Sequence, residues 1–472
     1  MRKPCAASPQ VQRAVRLHAG GEPRGRRGPV ACVHPRPGAP IDPHLLLLVG
    51  VLLVLSVIAA VAATRAGLPV LVAFLVLGML LGSDGPGGID FDDADLARAV
   101  GTIGLLAILW EGGLTTRWRD VRPVLGPAAL LATLGVVVTA VVVGLAGLVL
   151  FDLTGPEAML LGAVVGSTDA AAVFATLRFT TLRRRIGALL EAESGLNDPM
   201  AVALTLGLIE WVRAPDGYGL VDLLPTIARS LGIGLLAGLV LGRAAGWIIS
   251  RAPLSAGPFV PVVSVGLAAI AFAAPEAIGG SGFLSVYLVA LVVGNTPNAF
   301  RRSLSTFHEG LAFIAQIVLF GVLGLLVFPG ELGAVVASGL ILTLVLVLVA
   351  RPAAVWVCTV GQGFDARERV LLSWAGLRGA VPIVLATFAL SEGLEASETI
   401  FNAVFFVVLL SAAIQGPVLT PLARRLGLAE GSRALYDAPL EVGPVGGADL
   451  LEYTVRAGDG ADGRLVRDLG LP

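Results

Sequence analysis

The sequence predicts an all-α polytopic membrane protein, and three observations carry that prediction. Of 472 residues, 56% are hydrophobic and only 14% are charged. Apolar runs of about twenty residues, the length a helix needs to cross hydrocarbon, recur from residue 44 to residue 421. The charges gather between the runs, arginine after one and acid after the next. This composition excludes a soluble enzyme of this length. Membrane lipid is the expected surrounding, and no nucleic-acid partner is expected. Cys5, Cys32 and Cys358 have neither pairing nor metal-ligand spacing, so no disulfide framework, zinc site or cofactor is implied. Lys3 is the only lysine, which bears on genome composition and not on mechanism.

Residues 1–43 are polar, rich in Arg and Pro, and lack a signal peptide's apolar core. They are expected to be a disordered extension, one reading being upstream sequence translated from a misplaced start. Thirteen spans follow, at 44–63, 69–83, 97–114, 124–151, 157–177, 186–211, 223–248, 258–274, 281–296, 308–328, 333–357, 368–390 and 399–421. The odd-numbered spans are followed by Arg65; Arg117, Arg119 and Arg122; Arg178 and Arg183 to Arg185; Arg251; Arg301 and Arg302; Arg367 and Arg369; Arg424 and Arg425. Acids fill the other loops, among them Asp90, Asp152, Glu276, Glu331 and Glu392, with Arg213 their clear basic exception. Arginine on one side is the positive-inside pattern. It places the amino end outside and the carboxyl end in the cytosol of a bacterial inner membrane, which leaves the basic 1–43 segment on the wrong side.

The seventh span carries Gly234, Gly238, Gly242 and Gly246 on one ridge, a spacing for close helix packing. Six spans stand on either side of it, as in two repeats of inverted orientation. Seven spans apart, the fifth and twelfth are both interrupted, by Gly166-Ser167-Thr168-Asp169-Ala170 and by Gly376-Leu377-Arg378-Gly379-Ala380-Val381-Pro382. Matching broken helices are the best sequence pointer to a transporter's midplane site. Unwound backbone at that depth must be buried in protein or line a cavity. The membrane domain is therefore read as 44–425. A polar tail, 426–472, follows, in which Leu450 to Pro472 is too short to bury a core.

The chemistry concentrates in Leu189 to Val202. Glu193 and Asn197, and likewise Ser194 and Asp198, are four apart and share one helical face. Pro199 lacks an amide and frees the carbonyl of Gly195 beside Asp198. A carboxylate in hydrocarbon costs a few kcal/mol or more and is rarely without a task or a partner. Asp169, at a helix break, and Asp198 are the two carboxylates expected to hold a small hard cation or a proton in turn. The competing reading is that either caps a broken helix. Arg378 needs a counter-charge, and Glu193 is read as its structural partner in preference to a third proton carrier. Asn197 is read equally as a ligand or as a hydrogen-bond partner of Thr168. Glu111 ends the third span and is read as an interfacial or partnered acid in preference to one that reaches the site. Glu191 and Glu210 are placed near helix ends, where snorkelling makes charge cheap. His308-Glu309 is read as an interfacial pair, with a solvated imidazole preferred over a pH sensor.

Taken together, the motifs Gly166 to Phe174, Glu191 to Pro199 and Gly376 to Pro382 resemble those of bacterial monovalent cation:proton antiporters. The nearest likeness is to the potassium/proton antiporters of the cell-volume-regulation type, over about residues 44–425. The resemblance implies thirteen helices in an inverted-repeat fold, a homodimer, and a transport domain moving against a dimerisation domain. It assigns Thr168, Asp169, Ser194 and Asp198 to the cation and proton site and Glu111 to the ion pathway. It makes Glu193 and Arg378 the structural ion pair. Asn197 before Asp198, where electrogenic relatives have a second Asp, implies one-for-one electroneutral exchange. The resemblance also makes Leu450 to Pro472 look like the first strands of a potassium-transport regulatory domain.

The expected function is exchange of K+, ahead of Na+, for H+ through Asp169 and Asp198, in the service of pH and volume homeostasis. Two readings from other classes compete. The same aspartates could be the proton-sharing pair of an intramembrane protease. The protein could also be a cation channel, which needs a continuous pore instead of one occluded site.

Overall fold

The computed structural model describes residues 43–66, 69–177, 180–253 and 259–432. The expectations for residues 1–42 and for Leu450 to Pro472 fall outside the described residues. The chain runs through helices Pro43–Ala66, Val70–Leu81 and Ala94–Thr115, then a nearly continuous helical rod over 118–150. Gly155–Val164 and Ala170–Leu177 are two halves of one interrupted segment. Arg184–Arg213, Leu220–Ser250, Val260–Glu276, Gly282–Asn295 and Arg301–Leu325 follow. Pro329–Val345 continues through a wide turn, Leu346–Ala350, into Arg351–Cys358. A second interrupted segment, Ala366–Trp374 and Ala380–Ser391, precedes the last helix, Ser397–Arg425. Among the described residues six helices have the length and apolar composition to cross a bilayer. The architecture is a helical polytopic membrane fold.

Side-chain chemistry sets the helix ends. Asp93 accepts from the Leu96 amide at 2.8 Å, starting its helix three residues before the expected 97. Ser281 caps the 282–295 helix through the Leu284 amide. The helix expected from 308 begins at Arg301, two turns earlier. His308 is therefore inside the bundle, only 2% exposed. This overturns the solvated reading: the ring meets Ser264 Oγ at 2.6 Å and packs beside Trp110 and Phe307.

The fold turns apolar side chains outward where lipid would lie. Val137, Val141, Leu145 and Val149 on one rod, and Leu236, Val240 and Trp247 on another, are exposed. Hydrocarbon is as apolar as these residues, so packing between helices relies on close fit and buried polar contacts. The glycine ridge meets that need. A Cβ on Gly234 would come within 2.6 Å of the Ser281 carbonyl, and one on Gly238 within 2.9 Å of Leu288 Cβ. The ridge thus seats the 220–250 helix against 282–295, as its spacing predicts. Among the described residues a short strand pair departs from an all-α chain: Thr180–Leu182 pairs antiparallel with Ala429–Ser432. The loop before Arg184 finds there the backbone partners that no helix offers it.

Candidate functional site

The two interruptions meet. After Val164 the chain leaves the helix over Val165 to Asp169, and after Trp374 over Ala375 to Gly379. The Asp169 amide donates to the Leu377 carbonyl at 2.8 Å, so one break hydrogen-bonds the other. Arg378, fully buried, sends Nη1 to the Gly166 carbonyl at 2.8 Å and to that of Ser167. The guanidinium thus satisfies carbonyls that the first half-helix leaves free. The second halves begin at Ala170 and Ala380, turning the positive ends of their dipoles toward the crossing. Pro382 sits in the first turn of its half-helix, where a missing amide is harmless. Gln415 fastens the second break, donating to the Trp374 carbonyl at 2.9 Å and accepting from Ser411.

Two glycines let the breaks approach. A Cβ on Gly376 would be 2.7 Å from Arg351 Nε. One on Gly379 would lie 1.9 Å from Asp169 Oδ2 and 2.7 Å from Asp169 Cβ, so rotating the carboxylate cannot relieve the clash. Gly379→Ala is therefore expected to push the two half-helices apart and slow any transport through Asp169 by about tenfold or more. Gel filtration should still show a folded protein. Wild-type rates in this variant would show that the crossing tolerates displacement.

The 184–213 helix supplies the remaining side chains. Glu193, Asn197 and Asp198 are buried on it, and Ser194 is half-buried. Asn197 Nδ2 donates to Thr168 Oγ1 at 2.7 Å, tying this helix to the first break. Ser194 Oγ accepts from the Ala170 amide at 3.2 Å. Asp169 Oδ1 accepts from the Ala172 amide at 3.1 Å, so one of its oxygens does cap a half-helix. Asp198 Oδ1 is buried with no hydrogen-bond partner, as is Asn197 Oδ1. An unpartnered carboxylate oxygen away from water calls for a proton or a cation.

A cavity of about 520 Å³ brings these groups together. Thr168, Asp169, Ser194, Asp198 and Glu111 all line it, while Asn197 stands behind Thr168. Its lining also includes Glu191, Glu309 and Tyr287, which the sequence alone does not place there. Glu191 does not snorkel at a helix end. It lies two turns inside, half-buried, accepting from Thr116 Oγ1 at 2.7 Å. Glu210 is exposed near the helix end, as expected. Tyr287 gave no charge signal in the sequence. It shows only in contact with Gly195, whose Cβ would fall 2.2 Å from the ring.

The expected pairing of Glu193 with Arg378 is not what the structure contains. Glu193 is clamped by Arg351, with Nη1 on Oε1 and Nη2 on Oε2 at 2.9 Å. Arg378 turns instead to the two carbonyls of the first break. The physical reason is that bent backbone offers acceptors to an arginine on its own level, so a carboxylate is not needed for each guanidinium. Arg351 was legible in principle: it is the single charge within the apolar run 333–357.

A family model described as sodium/hydrogen exchanger, transmembrane, matches residues 51–425. The chain belongs to the sodium/hydrogen exchanger family. Within that family it is 43% identical over 381 residues to the K(+)/H(+) antiporter NhaP2 of Shewanella sp. strain ANA-3, covering 80% of this chain and 66% of that protein. It is 40% identical over 431 residues to the NhaP2 of strain MR-4, covering 90% of this chain and 75% of that one. The chain thus spans about two thirds to three quarters of the length of these relatives. The sodium proton antiporter MjNhaP1 of Methanocaldococcus jannaschii shares the fold, with a TM-score of 0.71 at 24% identity over 81% of this chain and 99% of that one.

Proposed function

We propose that the protein exchanges a monovalent cation, K+ ahead of Na+, for H+ across the bacterial inner membrane. The observation that carries this reading is the pair Asp169 and Asp198 on one cavity at the crossing of two broken helices. Relatives about 40% identical are called K(+)/H(+) antiporters, which favours potassium. Asp198 and Asp169 hold either the cation or a proton, with Thr168 and Ser194 completing the oxygen set. Asn197 holds Thr168 in place, and Glu111 lies on the path. No enzymatic step and no resident cofactor is required. Occupancy of either kind adds the same single positive charge to the aspartate pair, and the loaded site is then presented to the other side. With Asn197 neutral beside Asp198, one proton replaces one cation, and exchange is electroneutral.

The architecture proposed for this cycle is thirteen crossings over residues 44–425, in two inverted six-helix repeats about the 220–250 helix. The two broken segments are its fifth and twelfth crossings. The amino end is outside, the carboxyl end cytosolic, and two copies assemble as a homodimer. Residues 1–43 are an extension, and 426–472 begin a regulatory domain. The cavity reaches Thr115 and Glu309 near the arginine-bearing ends, which fits a site open to the cytosol. At the opposite ends Glu392 ties Arg98 at 3.0 Å to Arg213 at 2.6 Å, linking two helices there.

Dye quenching in everted vesicles tests this. Adding K+, Na+ or Rb+ should dissipate an imposed pH gradient, with and without a clamped membrane potential. Direct competition further requires the half-saturating cation concentration to fall by about tenfold per pH unit where protons fill the site. No cation response would end the proposal. Dissipation that follows the membrane potential would exclude electroneutral exchange, and steady single-channel current would favour a channel.

A further inference from the structure

A second cavity, of about 930 Å³, has the opposite electrical character. Arg117, Arg119, Arg184, Arg301 and Arg302 line it, with Asp120 the single acid among its lining residues. Asp120 is taken by Arg184. The other four arginines have no ion pair or side-chain hydrogen bond among the described residues. A bare positive-inside bias needs arginines on one face of the membrane, but not in one concave pocket. The four unpaired guanidinium groups are exposed, so water and salt screen their mutual repulsion, and an anion held among them relieves what remains.

The pocket is also held in shape. Asn295 Nδ2 donates to the carbonyls of Thr116 and Leu291 at 2.9 and 2.8 Å, and its Oδ1 accepts from the Trp118 amide at 2.9 Å. This fixes the turn that carries Arg117 and Arg119 against the end of the 282–295 helix. Arg301 and Arg302 open the 301–325 helix, whose first turn has no acid and whose Phe300 provides no side-chain cap. Two positive charges at a positive dipole end, beside free amides, are unfavourable alone and suited to a bound anion.

We infer that this cavity is a binding site for a phosphate-bearing anion, either a free phosphorylated solute or a lipid headgroup. Guanidinium forks and first-turn amides are the donors such oxygens take. Thr115 lines both cavities, and Arg117 and Asp120 are within electrostatic reach of Glu191 in the cation cavity. A bound anion cancels positive charge at the mouth of that cavity and raises the local concentration of cations. This second consequence rests on the antiport reading, whereas binding itself does not.

Pyrophosphate is the probe. Calorimetry on the purified chain in uncharged detergent should show saturable binding that weakens with salt. Arg117→Gln with Arg301→Gln should weaken it by about tenfold or more. Arg119→Gln with Arg302→Gln should do the same, which guards against one pair failing to fold. Arg367→Gln, outside the pocket, should bind as wild type. In phosphatidylcholine nanodiscs, competition by added phosphatidylglycerol identifies the headgroup as occupant, and its absence identifies a free solute. In everted vesicles, pyrophosphate should lower the half-saturating cation concentration severalfold. Absence of saturable binding, or binding unchanged in both pairs, overturns the site. Binding without any change in cation dependence overturns the coupling alone, and binding by a chain that exchanges no cation overturns the antiport reading and not the site.

Discussion

Asp198→Asn is expected to reduce the response of everted vesicles to K+ and Na+ to that of vesicles lacking the protein. The substitution keeps shape and removes charge. Asp198 Oδ1 has no hydrogen-bond partner, so nothing structural depends on it and the fold should be kept. On the proposed mechanism, what is lost is the negative charge that attracts a cation and the atom that takes a proton. Melting temperature should therefore stay within a few degrees of wild type, a change of under about 1 kcal/mol. Asp169→Asn should also stop exchange. Its oxygen caps the Ala172 amide, and asparagine caps helices as well as aspartate does, so this variant should fold too. Full exchange by the Asp198 variant would remove this carboxylate from the mechanism.

Glu193→Gln is expected to destabilise the protein more than any change in the cavity, by about 3–5 kcal/mol. Glu193 is 1% exposed and takes both forks of Arg351. It is also the carboxylate that acts electrostatically on Arg378, against the repulsion between the two arginines. Without it, two guanidinium groups share a dry interior, Arg378 held by two carbonyls and Arg351 left with no hydrogen-bond partner among the described residues. Replacing both partners, Glu193→Gln with Arg351→Met, removes the uncompensated charge and should recover most of the loss. Thermal unfolding of the three proteins in one detergent checks this. A Glu193 variant as stable as wild type would show that carbonyls and water suffice for both arginines. A double variant no better than the single would place the effect in packing.

Much of this site was legible because hydrocarbon makes charge conspicuous. Asp169, Glu193, Asp198 and Arg378 stand out in apolar runs, and the structure puts the two aspartates on one cavity. The four-residue spacing of Glu193 with Asn197 and of Ser194 with Asp198 places all of them on one helix, and of the two equal readings of Asn197 the structure contains the hydrogen bond to Thr168. Glu191 and His308 were misplaced for a shared reason. The apolar runs begin later than the helices do, at Arg184 and Arg301, so both residues lie deeper than the runs suggest. Tyr287 was invisible, since a tyrosine in a span carries no signal until a glycine is found against its ring.

By itself the sequence determined that this chain crosses a membrane repeatedly, where its helices break, and which few side chains have a reason to be charged there. These follow from local chemistry: apolar length, missing amides, and the cost of burying charge. Tertiary structure alone decided who faces whom. Arg351 holds Glu193 while Arg378 takes the carbonyls of Gly166 and Ser167, because partners in space come from helices more than 150 residues apart. Gathering arginines from separate loops into one pocket has the same origin. Spacing fixes a residue's side of its own helix, and only packing fixes what stands opposite.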